Sequence, residues 1–229
     1  MRAHEFIVDE GWKSAVGAGA MALGALGAYQ GMKQPAPVEQ PAQVQQAEKS
    51  RPLSFLNLKH SPHETLIYNA AKSAGLEGDE LAQFLAQVKH ESWDFTRLKE
   101  KPKSKNYFTH EYDITSKPAK AKMLGNVKPK THKYVGDGAT YHGRGFIQLT
   151  GRYNYREAGR ALGLDLENHP ELASEPANAA KIAVWYWKTK VQPKVNNFAD
   201  TSAVTKVINP KLKGLEDRHA NFIKYKSIL

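Results

Sequence analysis

The run from Tyr141 to Tyr155, YHGRGFIQLTGRYNY, constrains this chain more than any other stretch. Two glycines bracket Arg144, and a short β-prone sequence of Phe146, Ile147 and Leu149 carries Gln148 and Thr150 on alternate positions. Gly143 and Gly145 let the backbone turn tightly and approach a ligand closely. A period of two would place the Gln148 amide and the Thr150 hydroxyl on one face. The segment therefore reads as a small β-hairpin flooring a binding cleft. The same residues also suit an edge hairpin whose polar groups face water, so the rest of the chain has to decide.

Upstream, Gly78 to Ser92 has apolar residues at 81, 84, 85 and 88, which predicts an amphipathic helix. Asp79 is its expected N-cap. Three residues past Val88 falls Glu91, a carboxylate on the buried stripe at the C-terminal end of the helix. Desolvation disfavours the anion there, and the negative end of the helix dipole acts in the same direction. Both effects would raise its pKa, as a general acid requires. Nine residues on, Glu100 follows Trp93, Phe95 and Leu98 in a segment too polar and too close to Pro102 to stay helical, so it should remain ionised. Two carboxyl groups in unlike surroundings, with Gln148 and Thr150 able to hold a water or a sugar hydroxyl, form the set that glycoside hydrolysis needs.

Three separated motifs then occur in order. They are Lys89-His90-Glu91-Ser92 followed by Phe95 and Glu100, the run from Tyr141 to Thr150 with Tyr153-Asn154-Tyr155, and Ile208-Asn209 with Gly214-Leu215-Glu216-Asp217-Arg218. Together they resemble the family-19 glycoside hydrolases, which include plant-type chitinases and phage or bacterial endolysins. The similarity spans about residues 60 to 225, and the ordered set is far more specific than any single motif. The resemblance implies a mainly α, lysozyme-like two-lobed helical domain and an inverting mechanism. Glu91 matches the acid that protonates the leaving oxygen, Glu100 the base that activates water, and Thr150 the hydroxyl that positions this water. Gln148, Asn154 and Asn209 match substrate-contacting amides, and Tyr141 and Arg144 belong to the same substrate-binding motif. The chain departs from the family pattern at Ser92-Trp93-Asp94, where many relatives have a glycine pair after the serine, and in the lysine-rich Lys99 to Lys105. Glu111 therefore competes with Glu100 as the second carboxylate.

The organisation around these motifs is read from composition and spacing. Residues 1–33 form a leader whose stretch from Ser14 to Met32 carries no charge and is rich in Gly and Ala. It is weakly hydrophobic for a membrane span, which needs about 20 mainly apolar residues, and the acids before it do not suit an ordinary signal peptide. Three readings stay open: a releasable signal anchor making transient membrane contact through residues 14–32, a glycine-rich helix packed in a virion or oligomer, or a cleaved or disordered leader. Residues 34–52, rich in Pro, Gln, Ala and Val, form a linker, and residues 53–229 form the hydrolase domain. Within it, helices are expected from Ser61-Pro62 to Gly75, from Tyr153 to Leu162 before Gly163, from Pro176 to Lys188, from Asp200 or Thr201 to Ile208, and from Leu215 to Tyr225 with Leu215, Phe222 and Ile223 inward. Arg97 to Lys133 reads as cleft-side loops. Trp185 and Trp187 are assigned to the core rather than to sugar platforms.

Charge bears on the partner. The whole chain carries a formal charge of +10, and residues 51–229 hold 29 Lys and Arg against 18 Asp and Glu. A basic domain gains local concentration on an anionic envelope polymer, whereas no nucleic-acid motif is present and the lysines cluster in loops. No cysteine occurs, so a core rather than disulfides must supply stability. His60, His63, His132 and His142 do not form a metal-binding pattern, and no metal or cofactor is implied. The combined expectation is a monomeric, phage-encoded peptidoglycan hydrolase that acts in the host periplasm or cell wall and cleaves the β-1,4 bond between N-acetylmuramic acid and N-acetylglucosamine. The alternatives are a chitinase of the same fold and a non-catalytic wall-binding virion protein.

Overall fold

The computed structural model describes residues 61–127 and 136–229. The leader, the linker, residues 53–60, His60, His132 and the end of the lysine-dense segment lie outside the described residues. Helix α1, Pro62–Ser73, opens as the Ser-Pro pair predicts: the Ser61 hydroxyl accepts the Glu64 amide at 3.1 Å and Pro62 stands in the first turn. Gly75 then turns the chain with φ +83°. Helix α2, Gly78–Glu91, buries all four residues of the predicted stripe, Leu81, Phe84, Leu85 and Val88. Its cap differs from expectation. Glu77 occupies that position without a side-chain capping bond, and Asp79 lies in the first turn, where it pairs with Lys226 at 2.8 Å.

The segment read as loops contains two short helices, α3 Tyr107–Tyr112 and α4 Pro118–Met123. Pro118 pre-sets the first turn of α4, and Tyr107, Tyr112, Ala121 and Leu124 are buried, so apolar anchors fix a stretch whose lysines dominate its sequence. After the short α5, Asp137–Thr140, comes α6, Arg152–Leu162, which ends at Gly163 as expected. Helix α7, Pro176–Tyr186, runs into one π turn, Trp187–Val191, rather than stopping at Lys188. Trp187 is in the core, edge-on to Phe84 at 5.4 Å, with its indole N–H donated to Glu80 at 2.9 Å. Asp200 caps α8, Thr201–Ile208, by accepting the amides of Ser202 and Ala203.

Helix α9, Leu215–Ile228, packs along α2, and α1 packs on α7, so α2 is enclosed at the centre of the bundle. The inward stripe of α9 is Arg218, Phe222 and Tyr225. Ile223, expected inside, is 51% exposed, because the i, i+4, i+7 row turns it away from α2. The mainly helical fold is as read from the sequence, but no strand occurs among the described residues. The expected hairpin is reduced to two isolated antiparallel bridges, Lys99 with Arg144 and Arg144 with Leu149.

Candidate active site

The two bridges explain why the Gly143 to Thr150 segment is a turn and not a strand. Arg144 and Leu149 exchange both backbone bonds, at 3.1 and 2.7 Å, and the Gln148 amide donates to the Gly145 carbonyl at 3.1 Å. Four residues are thereby folded into a knot between the bridged pair. Gln148 takes a left-handed φ of +53°, so the alternation predicted for Gln148 and Thr150 does not apply. Instead the Gln148 side-chain N–H₂ donates to the Gly145 carbonyl at 3.0 Å, and the Thr150 hydroxyl donates to the Gln148 carbonyl at 2.8 Å. Asn154 donates to the Thr150 carbonyl at 2.8 Å. All three side chains are buried and brace the turn from within.

Glu100 is delivered to this turn by the other bridge. Its amide donates to the Gly143 carbonyl at 2.9 Å, and the Gly143 amide donates to Glu100 Oε2 at 3.2 Å. A Cβ at Gly143 would stand 2.9 Å from Gln148 Oε1 and 3.1 Å from Glu100 Oε2. The glycine therefore allows the carboxylate and the amide oxygen to close around one backbone carbon. From α3 the Tyr112 hydroxyl donates to both Glu100 oxygens, at 2.9 and 3.1 Å. Burial first, and then the Glu100 charge, push the Tyr112 phenol far above its ordinary range, which keeps it a donor.

Glu91 is the last residue of α2. It lines a pocket with Val88, Ile147, Ala183, Tyr186 and Ile208. Arg218 of α9, 1% exposed, donates a guanidinium N–H to Glu91 Oε1 and a second to Gln87 Oε1 at 2.5 Å. This charged partner on Glu91 is one that the local sequence pattern did not reveal. Glu91 belongs to a buried polar row, Gln83, Gln87 and Glu91, in which Gln83 donates to Thr201 at 2.7 Å and Gln87 to Thr205 at 3.0 Å. This four-residue repeat of polar groups was the available signal for a partnered Glu91. Ile147 lines the Glu91 pocket and Gly143 with Gln148 lies against Glu100, so the one turn meets both carboxylates.

The remaining candidates are placed differently. Tyr141 is buried, and its hydroxyl donates to the Glu167 carbonyl at 2.7 Å. Arg144 is 8% exposed and donates to the Thr140 carbonyl at 2.8 Å and to the Tyr155 hydroxyl at 2.9 Å, which makes it the buckle of the two bridges. Asn209 lies after α8, where its side-chain oxygen accepts the Lys211 amide at 3.1 Å. Glu111 is held by Lys117 at 2.9 Å and faces Lys120 at 3.6 Å. Its hydrogen bond to Lys117, opposed by partial burial and reinforced by both lysine charges, holds its carboxyl at about 2. Tyr112 and Arg218, which bind the two candidate carboxylates, were absent from the candidate set.

The loop after Glu91 is strained. Trp93, Asp94 and Phe95 have φ of +53°, +60° and +60° in succession, a conformation that costs on the order of 1–3 kcal/mol for each non-glycine residue. Trp93 and Asp94 stand where the family resemblance places glycines. Ser92 overrides the strain: its hydroxyl donates to the Val88 carbonyl at 2.7 Å and accepts the Phe95 amide at 3.0 Å, and its carbonyl accepts the Thr96 and Arg97 amides.

Comparison with known proteins points to one family. A family model described as class I chitinase, of glycoside hydrolase family 19, matches residues 65–214. A glycosyl hydrolase family 19 domain-containing protein of Haemophilus influenzae is 33% identical over 155 residues, covering 60% of this chain and 74% of the relative. Endochitinase CH25 of Brassica napus is 34% identical over 149 residues, 55% of this chain but only 40% of that protein. Among solved structures, chitinase C from Streptomyces griseus aligns with a TM-score of 0.53 at 25% identity, over 82% of this chain and 74% of that one.

Proposed function

This chain belongs to glycoside hydrolase family 19, and from that premise we propose that it hydrolyses the β-1,4 bonds of bacterial peptidoglycan by inverting acid–base catalysis. The observation that carries the reading is the pair of carboxylates that both meet the Gly143–Thr150 turn, each with its own donors. Glu91 protonates the leaving oxygen. As its proton leaves, the Arg218 guanidinium meets the carboxylate that forms. Glu100, oriented by Tyr112 and the Gly143 amide, takes a proton from the water that attacks the opposite face of the sugar. Tyr112 and Gly143 donate to Glu100 without carrying charge, so they orient the base while leaving it able to accept the proton.

The choice of an anionic polymer is supported by the exposed Lys101, Lys103 and Lys105, which follow Glu100 directly. Exposed lysines that follow the proposed base in sequence raise the local concentration of a substrate bearing carboxylates. Neutral chitin gains nothing from them. Chitin is the second reading, supported by the endochitinases among the relatives. On the peptidoglycan reading, residues 1–52 deliver the domain to the wall, through a releasable anchor or from a virion.

The test is a parallel assay. The protein should clear a suspension of outer-membrane-permeabilised bacteria and release reducing ends from purified peptidoglycan, with the new anomeric centre inverted by NMR. Turnover of chitin oligomers with none of peptidoglycan would replace the first reading with the second. Retention at the anomeric centre would refute the assignment of Glu100 as a base.

A further inference from the structure

Trp93 is the most exposed large apolar side chain among the described residues, 59% accessible, and it stands two positions after Glu91. Its backbone is left-handed, the region in which glycine is free and a bulky side chain is strained. An indole held there and left largely in water adds nothing to the buried core. Among the described residues its ring meets one side chain: the Arg97 guanidinium carbon lies 4.4 Å from the ring centroid. That contact fixes the indole plane and sets a cation beside it. Asp94, next in the strained run, is tied back to Lys89 at 3.0 Å, and its amide donates to the Lys89 carbonyl at 2.9 Å, so the loop is held from both its backbone and its side chains.

We propose that Trp93 and Arg97 form a substrate-binding subsite next to Glu91 for an acidic amino sugar, the indole taking the apolar face of a pyranose ring and the guanidinium taking a carboxylate borne by that sugar or its peptide. The proposal rests on the peptidoglycan reading of the same cleft and adds to it a specificity-determining pair. Indole provides a flat apolar surface that matches the C–H face of a sugar and excludes water from it. Guanidinium provides paired N–H donors that match a carboxylate. Chitin has the sugar face but no carboxylate, so the two side chains divide the recognition between them. Trp93 reads any N-acetylhexosamine ring and Arg97 reads the charge.

The experiment uses the full chain carrying Glu91→Gln, so that binding is measured without turnover. Co-sedimentation is measured with intact peptidoglycan, with glycan strands stripped of peptide, and with chitin. Trp93→Gly should weaken binding to all three by roughly tenfold, the effect expected when one face of an indole is lost from an apolar contact. Its melting temperature should equal or exceed that of the parent, because the left-handed strain is relieved. Arg97→Gln should weaken binding to intact peptidoglycan by several-fold and leave chitin unchanged. A loss on stripped strands as well assigns the carboxylate to the sugar, and a loss confined to intact material assigns it to the peptide. Trp93→Gly binding within twofold of the parent on every polymer overturns the subsite, as does Arg97→Gln losing chitin as strongly as peptidoglycan. Turnover of peptidoglycan by the unsubstituted chain is scored separately, so a failure of the enzyme reading and a failure of the subsite give different results.

Discussion

Glu91 and Glu100 stand nine positions apart and are held by opposite kinds of chemistry. Glu91 is the last residue of a buried helix and is met by a charged partner that is itself buried, Arg218. Glu100 lies outside any helix and is met by neutral donors, a phenol and a backbone amide. On the proposed mechanism the difference separates two tasks. A group that must finish its step as an anion inside an apolar pocket gains from a fixed cation. A group that must begin its step as an anion and accept a proton gains from donors that orient it without a full charge beside it.

The largest effect expected from this contrast follows from removing either carboxylate. Glu91→Gln should reduce turnover by at least ~10²–10⁴-fold with the circular dichroism spectrum unchanged, and Glu100→Gln should be nearly as severe. A loss below about tenfold at Glu91 would take the acid role away from it.

Breaking the partners should separate the two flanks further. Arg218→Met leaves Glu91 and Gln87 facing an unpaired site in the bundle, and destabilisation of about 3–5 kcal/mol is expected, read as a lower denaturation midpoint. Tyr112→Phe removes two bonds to Glu100 but no charge, so turnover should fall roughly tenfold with a much smaller change in the midpoint. If Tyr112→Phe destabilises as much as Arg218→Met, the orienting role of the phenol gives way to a structural one.

The same contrast marks what could be read from the chain. The period of α2 is local, and the buried stripe at 81, 84, 85 and 88 follows from it directly. Helix ends set by Ser61-Pro62, Gly163 and Asp200 were legible for the same reason, since capping acts over three or four residues. The partner of Glu91 lies 127 residues away in sequence. No local pattern names it, although the polar repeat Gln83, Gln87, Glu91 indicates that a polar counterpart must exist. The Gly143 to Thr150 run misleads in a different way. Its alternation fits a strand, but the pairing of Arg144 with both Lys99 and Leu149 closes the segment into a turn, and a positive φ at Gln148 cannot be seen in β-prone residues. Tertiary pairing overrides propensity there.

The smallest expected effect belongs to the third carboxylate, and it tests which acid completes the pair. Glu111 is held at about 2, chiefly by its hydrogen bond to Lys117. This lies below the ordinary value of 4.5, so the folded state binds its proton less readily than the unfolded chain does. The contribution to stability is therefore present above about pH 4.5 and is lost as the pH falls through about 2. With 22% of its side chain accessible, the ion pair is worth no more than about 1 kcal/mol. Glu111→Gln should accordingly lower the denaturation midpoint slightly at pH 7, and the difference from the parent should shrink as the pH is taken from 4.5 towards 2. A carboxyl held so low is also a weak base at neutral pH, so turnover should stay within about twofold. If Glu111→Gln instead costs more activity than Glu100→Gln, the water is activated from the lysine-bound side of α3, and the neutral donors around Glu100 serve the turn rather than the reaction.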